Sequence, residues 1–197
     1  MIRSYKHKGL RELAETGSSA KVRADLLARV LRRLDAIAAA RLPQSLNVPG
    51  FEFHSLQGSP KRYSIHVNGP WCLTFGWDGD DAVELDLENY HQEDNMEQTI
   101  RGRCPTHPGA ILREDVLPAM GVTVSAFAAG LGVSRQMVHG ILAERHGISP
   151  EMALRLGGYL GNGAALWMDM QVKHDLYLAE VKLGGNLPAR AANLPAV

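Results

Sequence analysis

Apolar residues follow different periods in the two halves of the chain, and a polar stretch separates the halves. Between residues 51 and 87 they alternate with other residues, which is typical of strands with one buried face. From residue 110 onward they recur at three- and four-residue steps, which is typical of helices. Residues 92–103 offer little to bury, since only Met96 and Ile100 are large and apolar. This pattern predicts two small domains joined by a linker.

The first half is predicted to be an α+β domain, with two helices packed on a four-stranded antiparallel meander. Residues 7–16 suit a short helix that ends at Gly17. A longer helix, capped by Ser18 or Ser19, is predicted to run from Ser19 to Ala40. The four predicted strands take up the alternating runs at residues 51–53, 63–67, 71–77 and 83–87.

Hairpin turns and alternation together predict what each face of this sheet carries. Asn68-Gly69 and Asp78-Gly79 lie between the runs, where tight turns need residues that tolerate positive φ. The helices are expected to cover the aromatic face. The opposite face is then expected to display eight side chains of mostly polar character: Glu52, His54, Ser64, His66, Cys72, Thr74, Glu84 and Asp86.

The second half is predicted to be an all-α bundle of five helices. Its second and third helices are separated by Gly132-Val133-Ser134, a tight turn followed by a cap, which is the spacing of a helix-turn-helix. The start of the third helix exposes residues suited to contact base edges or phosphates: Ser134, Arg135, Gln136 and His139. We therefore predict DNA binding; the alternative is a helical bundle whose surface is polar without binding DNA.

The net charge of zero hides a strong internal pattern. Residues 1–62 carry 12 basic and 5 acidic side chains, whereas residues 63–97 carry 9 acidic side chains and neither Lys nor Arg. Residues 98–197 carry 9 basic and 7 acidic side chains. The basic start suits RNA or an acidic partner, although a salt-bridged fold would show the same pattern. The small positive charge of the last segment favours a dimer that reads two DNA half-sites.

Composition excludes several other classes of protein. Cys72 and Cys104 lie in different halves, which does not suit a disulfide framework or a zinc site, so no metal or cofactor is expected. No signal peptide and no apolar run of about 20 residues is present, so we expect no membrane insertion. A reducing, cytoplasmic setting is the expectation.

Side chains suited to metal-independent RNA cleavage occur in the first half. That reaction needs a base for the ribose 2′-OH, an acid for the leaving oxygen, and positive charge near the phosphate. His54 and His91 can exchange protons, Tyr90 can position or stack on a base, and Lys61 and Arg62 can supply the charge. A single histidine taken alone is more often a surface or structural residue than a catalytic one.

Three segments of the first half resemble the HigB branch of the RelE-type toxins. They read PGFEFHSLQG, YSIHVNGPW and LTFGWDGDDAVELDLENYH, and the opening MIRSYKHKGL is similar as well. The resemblance implies a RelE-like fold and ribosome-dependent mRNA endonuclease activity, with His54, Tyr90 and His91 at the family's catalytic positions. Three positions depart from the family pattern: Gln57 and Cys72 replace a Lys and an Arg, and Asn89 replaces an Asp.

Four segments of the second half resemble the HigA antitoxins of the Xre-type helix-turn-helix class. They read HPGAILREDVLP, LGVSRQMVHGIL, GISPEMALRLGGYLG and LWMDMQVKHDLYLAE. The resemblance implies a dimer that binds its toxin and represses its own promoter. The expected boundaries are a toxin domain at 1–91, a linker at 92–104, an antitoxin domain at 105–183 and a disordered tail at 184–197, with Met96 as a former start of a separate antitoxin.

The leading hypothesis is therefore a toxin joined to its own antitoxin. Operator DNA, and the ribosome with mRNA if the first domain is active, are the expected partners, with toxin–antitoxin contact either within one chain or exchanged across a homodimer. The alternative is a helix-turn-helix regulator whose toxin-like domain is catalytically inactive. This alternative is supported by Gln57 and Cys72, which replace two cations of the family pattern.

Overall fold

The computed structural model describes residues 1–89 and 103–184. Tyr90, His91, Met96, most of the predicted linker and the predicted tail beyond Gly184 lie outside the described residues. The described parts divide as the periodicity predicts, into an α+β part at residues 1–89 and a helical part at residues 103–184.

Four antiparallel strands form one sheet in the order β1-β2-β3-β4 in the α+β part. Their bounds are His54–Ser55 for β1, Arg62–Asn68 for β2, Trp71–Asp78 for β3 and Asp81–Asn89 for β4. Gly69 and Gly79 occupy the two hairpin turns with φ of 56° and 61°, where a side chain would be strained. The predicted first strand at residues 51–53 is wrong, because Glu52 takes a φ of 48° and extended pairing begins only at His54.

Two helices precede the sheet. Helix α1 spans Lys8–Thr16 and ends, as predicted, at Gly17 in the left-handed conformation. Helix α2 spans Leu27–Ala39 and begins eight residues after the predicted start. Ser19 does not cap it, because its hydroxyl donates to Glu12 (2.9 Å) and accepts from the Lys21 amide.

The core of the α+β part lies between α2 and the apolar face of the sheet. Val30, Leu34 and Ile37 on α2 are buried in one cluster with Ile65 and other apolar residues of the central strands. Burial of such side chains contributes about 25 cal/mol per Å² of apolar area, so this contact stabilises the sheet. The polar face is the one turned away from α2.

Five helices make up the described helical part. Helix α3 runs through Pro108–Ile111, a π-helical turn at Leu112–Val116, and Leu117–Met120. Helix α4 is Val124–Leu131, α5 is Arg135–Leu142, α6 is Pro150–Leu160 and α7 is Ala164–Leu183. Pro118 explains the π turn, because its ring cannot donate a backbone hydrogen bond and the preceding turn widens to relieve the clash.

The two parts meet along α2. Asp35 of α2 accepts from both guanidinium nitrogens Nη1 and Nη2 of Arg103 (2.9 and 2.7 Å) and from the Thr106 amide (2.8 Å). Arg41 pairs with Asp169 of α7 (2.6 Å), and Lys173 of α7 donates to the carbonyl of Ala38. The helical part therefore docks on the helix that covers the apolar face, away from the polar face. Among the described helices, none is long and apolar enough to cross a membrane.

Candidate functional site

Strand register brings polar residues from all four strands into one line. His54 pairs with Ser64, Ser64 with Thr74, and Thr74 with Asp86. We call these four residues the polar row. The next line on the same face holds His66, Cys72 and Glu88. Six of the eight predicted residues thus share one face, while Glu52 precedes β1 and Glu84 lies at a break in the β3–β4 register. The face is less solvated than expected, since Ser64, Thr74 and Asp86 are buried.

Basic side chains from outside the polar row explain this burial. Lys6 reaches Asp86, with its Nζ 3.2 Å from Oδ2. Arg62 reaches across to Thr74, with Nη2 donating to the hydroxyl at 3.0 Å, and Thr74 in turn donates to Glu88 at 2.6 Å. The polar face therefore carries two groups of paired charges and hydroxyls, which makes it a candidate binding surface.

His54 is exposed at the open end of the polar row, and its hydrogen bond sets its tautomer. Its Nδ1 lies 2.9 Å from the carbonyl oxygen of Glu52, which can only accept, so Nδ1 carries the proton. In the neutral ring, Nε2 is then unprotonated and can accept a proton. The left-handed conformation of Glu52 brings that carbonyl next to the ring, and such strained positions cluster at functional sites.

Two predicted cations lie near this histidine, in different environments. Arg62 is two residues from Ser64 on the same face of β2, about 7 Å along the strand. Lys61 is exposed, and its Nζ lies 5.7 Å from the centre of the Tyr63 ring. Arg62 therefore shares the polar face with His54, whereas Lys61 contacts Tyr63, whose ring belongs to the apolar core.

Cys72 lies on the polar face where the resembled family has an arginine. It is buried, and burial raises the pKa of its thiol. The position therefore holds a neutral group. Gln57, the other changed position, is exposed. The surface has fewer cations than the family pattern implies.

The predicted DNA-contacting residues lie together at the start of α5. Gly132 ends α4 with a φ of 67°, and the Ser134 hydroxyl caps α5 by accepting from the Met137 amide (3.1 Å). Ser134, Arg135, Gln136 and His139 are all exposed. Arg135 and His139 are also joined, with Nε donating to Nε2 at 3.3 Å.

Helix α5 is anchored by close backbone contacts that leave its outer face open. Its inner face buries Val138 and Ile141. A Cβ on Gly109 of α3 would lie 2.0 Å from the Ile141 carbonyl oxygen, and one on Gly140 would lie 2.2 Å from the His146 ring. Gly109 is therefore required by packing, because its neighbour is backbone. A Cβ on Gly140 would instead displace the exposed His146 side chain.

A buried ion cluster that sequence reasoning missed joins the two parts. Asp115, in the π turn of α3, pairs with Arg32 (2.7 Å) and Arg33 (2.9 Å) of α2. The side chains of Arg33 and Asp115 are 1% and 2% exposed. Arg33 also donates to the carbonyls of His66 and Gly50 and stacks 4.0 Å over the Phe51 ring. Burial lowers the pKa of the Arg33 guanidinium, and Asp115 opposes that shift.

Comparison with known proteins assigns the α+β part. The family described as the RelE-like toxin of the type II toxin-antitoxin system HigB matches residues 3–91. Endoribonuclease HigB of Proteus vulgaris is 40% identical over 92 residues, which make up 46% of this chain and the whole of that protein. The chain belongs to the HigB toxin family.

The HigB match leaves the other part of the chain, which is similar to antitoxins. Antitoxin HigA-1 of Vibrio cholerae is 32% identical over 75 residues, 38% of this chain and 70% of that protein. The solved structure of Pseudomonas aeruginosa antitoxin HigA with the higBA promoter has 36% sequence identity to this chain. The match covers 46% of this chain and 99% of the antitoxin chain, with a TM-score of 0.42. The HigB-like and HigA-like sequences therefore occur in one chain.

Proposed function

We propose that this chain is a toxin and its antitoxin in one molecule. Residues 1–91 form a HigB-like domain that cleaves mRNA on the ribosome, and residues 105–183 form a HigA-like domain that neutralises it and represses the operon as a homodimer on operator DNA. The observation that carries the proposal is the buried ion cluster of Asp115 with Arg32 and Arg33. It joins the HigB-like and HigA-like parts through charges that neither part satisfies alone.

The geometry of the polar face supports the roles that we propose for its residues. His54, with Nε2 able to accept a proton, is the base for the 2′-OH, and Tyr90 and His91 complete the site by resemblance to the family. Lys61 and Arg62 are the phosphate-binding cations. The ion pairs between the two parts lie along α2, so the described contacts leave His54 and Lys61 exposed. The HigA-like part then neutralises the HigB-like domain by hindering its binding to the ribosome. It does not occupy the active site of that domain.

Cleavage should become measurable when docking is weakened. With ribosomes programmed by a defined mRNA, the full chain is expected to cleave little, and Asp115→Ala is expected to cleave more because it disrupts the buried ion cluster. Adding His54→Ala to Asp115→Ala should lower cleavage by about 10²- to 10⁴-fold, the usual contribution of a general base. Gln57→Lys in the same background should raise it, because this exposed position can regain a cation.

The alternative function makes the opposite prediction for this assay. A regulator with an inactive toxin-like domain would show no cleavage in the wild-type chain, in Asp115→Ala or with Gln57→Lys. The charge lost at Gln57 and Cys72 favours this alternative. Cleavage by Asp115→Ala that depends on His54 would exclude it.

Operator binding should depend on the exposed start of α5. Arg135→Ala and Gln136→Ala are each expected to lower affinity for the DNA upstream of the gene by about 1–3 kcal/mol, the usual contribution of one bidentate pairing with a base. In a dimer each substitution acts at both half-sites. A gel shift measures the effect, with the exposed Arg145, outside α5, changed to alanine as the charge-matched control. An unchanged shift for both α5 variants would refute the assignment.

A further inference from the structure

Glu84 occupies an unusual position opposite Arg62. The β3–β4 pairing shifts between Thr74–Asp86 and Gly76–Val83, so two residues of β4, Glu84 and Leu85, oppose one residue of β3. Glu84 takes a φ of 51° at this bulge. A bulge of this kind changes the direction of a side chain and is common next to functional sites.

The redirected carboxylate contacts the cation assigned to phosphate binding. Nη1 of Arg62 lies 3.2 Å from Oε2 of Glu84, and Nη2 donates to the Glu84 carbonyl at 3.1 Å. Arg62 pairs across the sheet with Gly76, which has no side chain between β2 and β4. One guanidinium thus binds a carboxylate, a carbonyl and the Thr74 hydroxyl at once.

The two partners of this ion pair differ in exposure. The Glu84 side chain is 62% exposed, whereas the Arg62 side chain is 22% exposed and held on two further oxygens. An ion pair with one solvated partner is weak, and the solvated partner here is the carboxylate. A phosphate that approaches the polar face therefore meets an arginine already fixed in place, with a counter-ion that is easily displaced.

We propose that Glu84 is a built-in competitor of RNA, whose carboxylate occupies the phosphate site on Arg62 until a phosphodiester displaces it. The inference rests on the proposed RNA-binding role of the polar face. The Thr74 hydroxyl, now bonded to Arg62 and Glu88, stays beside the site as a second polar group for the phosphate. Glu84 thereby lowers the affinity of the polar face for RNA, and this effect does not depend on the docked HigA-like part.

Binding of a 2′-O-methyl RNA oligonucleotide to the full chain tests this inference, because that RNA cannot be cleaved through its 2′ position. By fluorescence anisotropy, Glu84→Gln is expected to bind about three- to five-fold more tightly than the wild-type chain, the range of a weak surface ion pair. Arg62→Gln should bind more weakly. In the Arg62→Gln background, Glu84→Gln should have no effect beyond the general effect of removing one acidic charge.

The double variant separates a local competitor from a general change in charge. Asp80→Asn, an exposed acid in the β3–β4 turn, removes the same charge and should change affinity equally with or without Arg62. If Glu84→Gln behaves like Asp80→Asn, or if it leaves affinity unchanged, the inference is wrong. If the predicted pattern is found while the chain cleaves no mRNA, Glu84 still regulates RNA binding and only the proposed nuclease activity fails. Thermal unfolding of each variant verifies that it is folded.

Discussion

Asp115→Ala is expected to lower the free energy of unfolding of the chain by about 3–5 kcal/mol, the usual cost of removing one partner from a buried ion pair. The substitution leaves Arg33 with a positive charge inside the protein and only two backbone carbonyls as acceptors. Arg32 loses its carboxylate partner as well. Urea unfolding, followed by the fluorescence of the three tryptophans, measures the loss.

Asp169→Ala is the matched control for this experiment. It also removes an aspartate that joins α7 to the α+β part, but its partner Arg41 is 71% exposed and water can replace the carboxylate. The control should therefore shift the urea midpoint far less than Asp115→Ala. Equal shifts would mean that the buried ion cluster does not hold the two parts together.

Gly157→Ala and Gly158→Ala are expected to have opposite effects, although the two glycines are neighbours in α6. A Cβ on Gly157 would lie 2.3 Å from the carbonyl carbon of Gly163 and 2.4 Å from the Ala164 amide nitrogen. Both are backbone atoms, so α6 and the start of α7 must separate, at a cost of about 3 kcal/mol. A Cβ on Gly158 would meet nothing within 4 Å.

Gly158→Ala should stabilise the chain by about 0.5–1 kcal/mol, because alanine has a higher helix propensity than glycine and its methyl group enters open space. Thermal unfolding of the two variants against the wild-type chain measures both effects in one helix. Each variant controls the other for helix propensity, since both replace a glycine of α6 by alanine. A gain for Gly157→Ala would contradict the close approach of α6 and α7.

Periodicity predicts much of the fold because burial and alternation are local properties. The division into an α+β part and a helical part is confirmed, and so is the antiparallel meander. The predicted start of α2 is wrong for an instructive reason. Val22 and Leu26 are buried at helical spacing, but they anchor a non-helical segment, so their spacing extends the predicted helix beyond its real start.

The features that sequence reasoning missed depend on residues that are distant in the chain. Arg33 is buried in its helix because Asp115 supplies its counter-ion from the other half of the chain. The Glu84–Arg62 contact requires a bulge that shifts the alternation of β4 by one residue. No local pattern reports either one. Gly50 is a partial sequence signal of the contact between the two parts, since a Cβ there would lie 2.8 Å from the Asp115 carbonyl oxygen.

The ion pairs along α2 connect residues of a single polypeptide, and this affects how docking responds to protein concentration. Binding between separate proteins weakens on dilution, whereas docking within a chain has a constant effective concentration set by the connecting segment. Translation also produces the two parts in equal amounts. Undocking would then require a change within the molecule, such as proteolytic removal of the helical part or a competing ligand for α2, and dilution alone would not cause it.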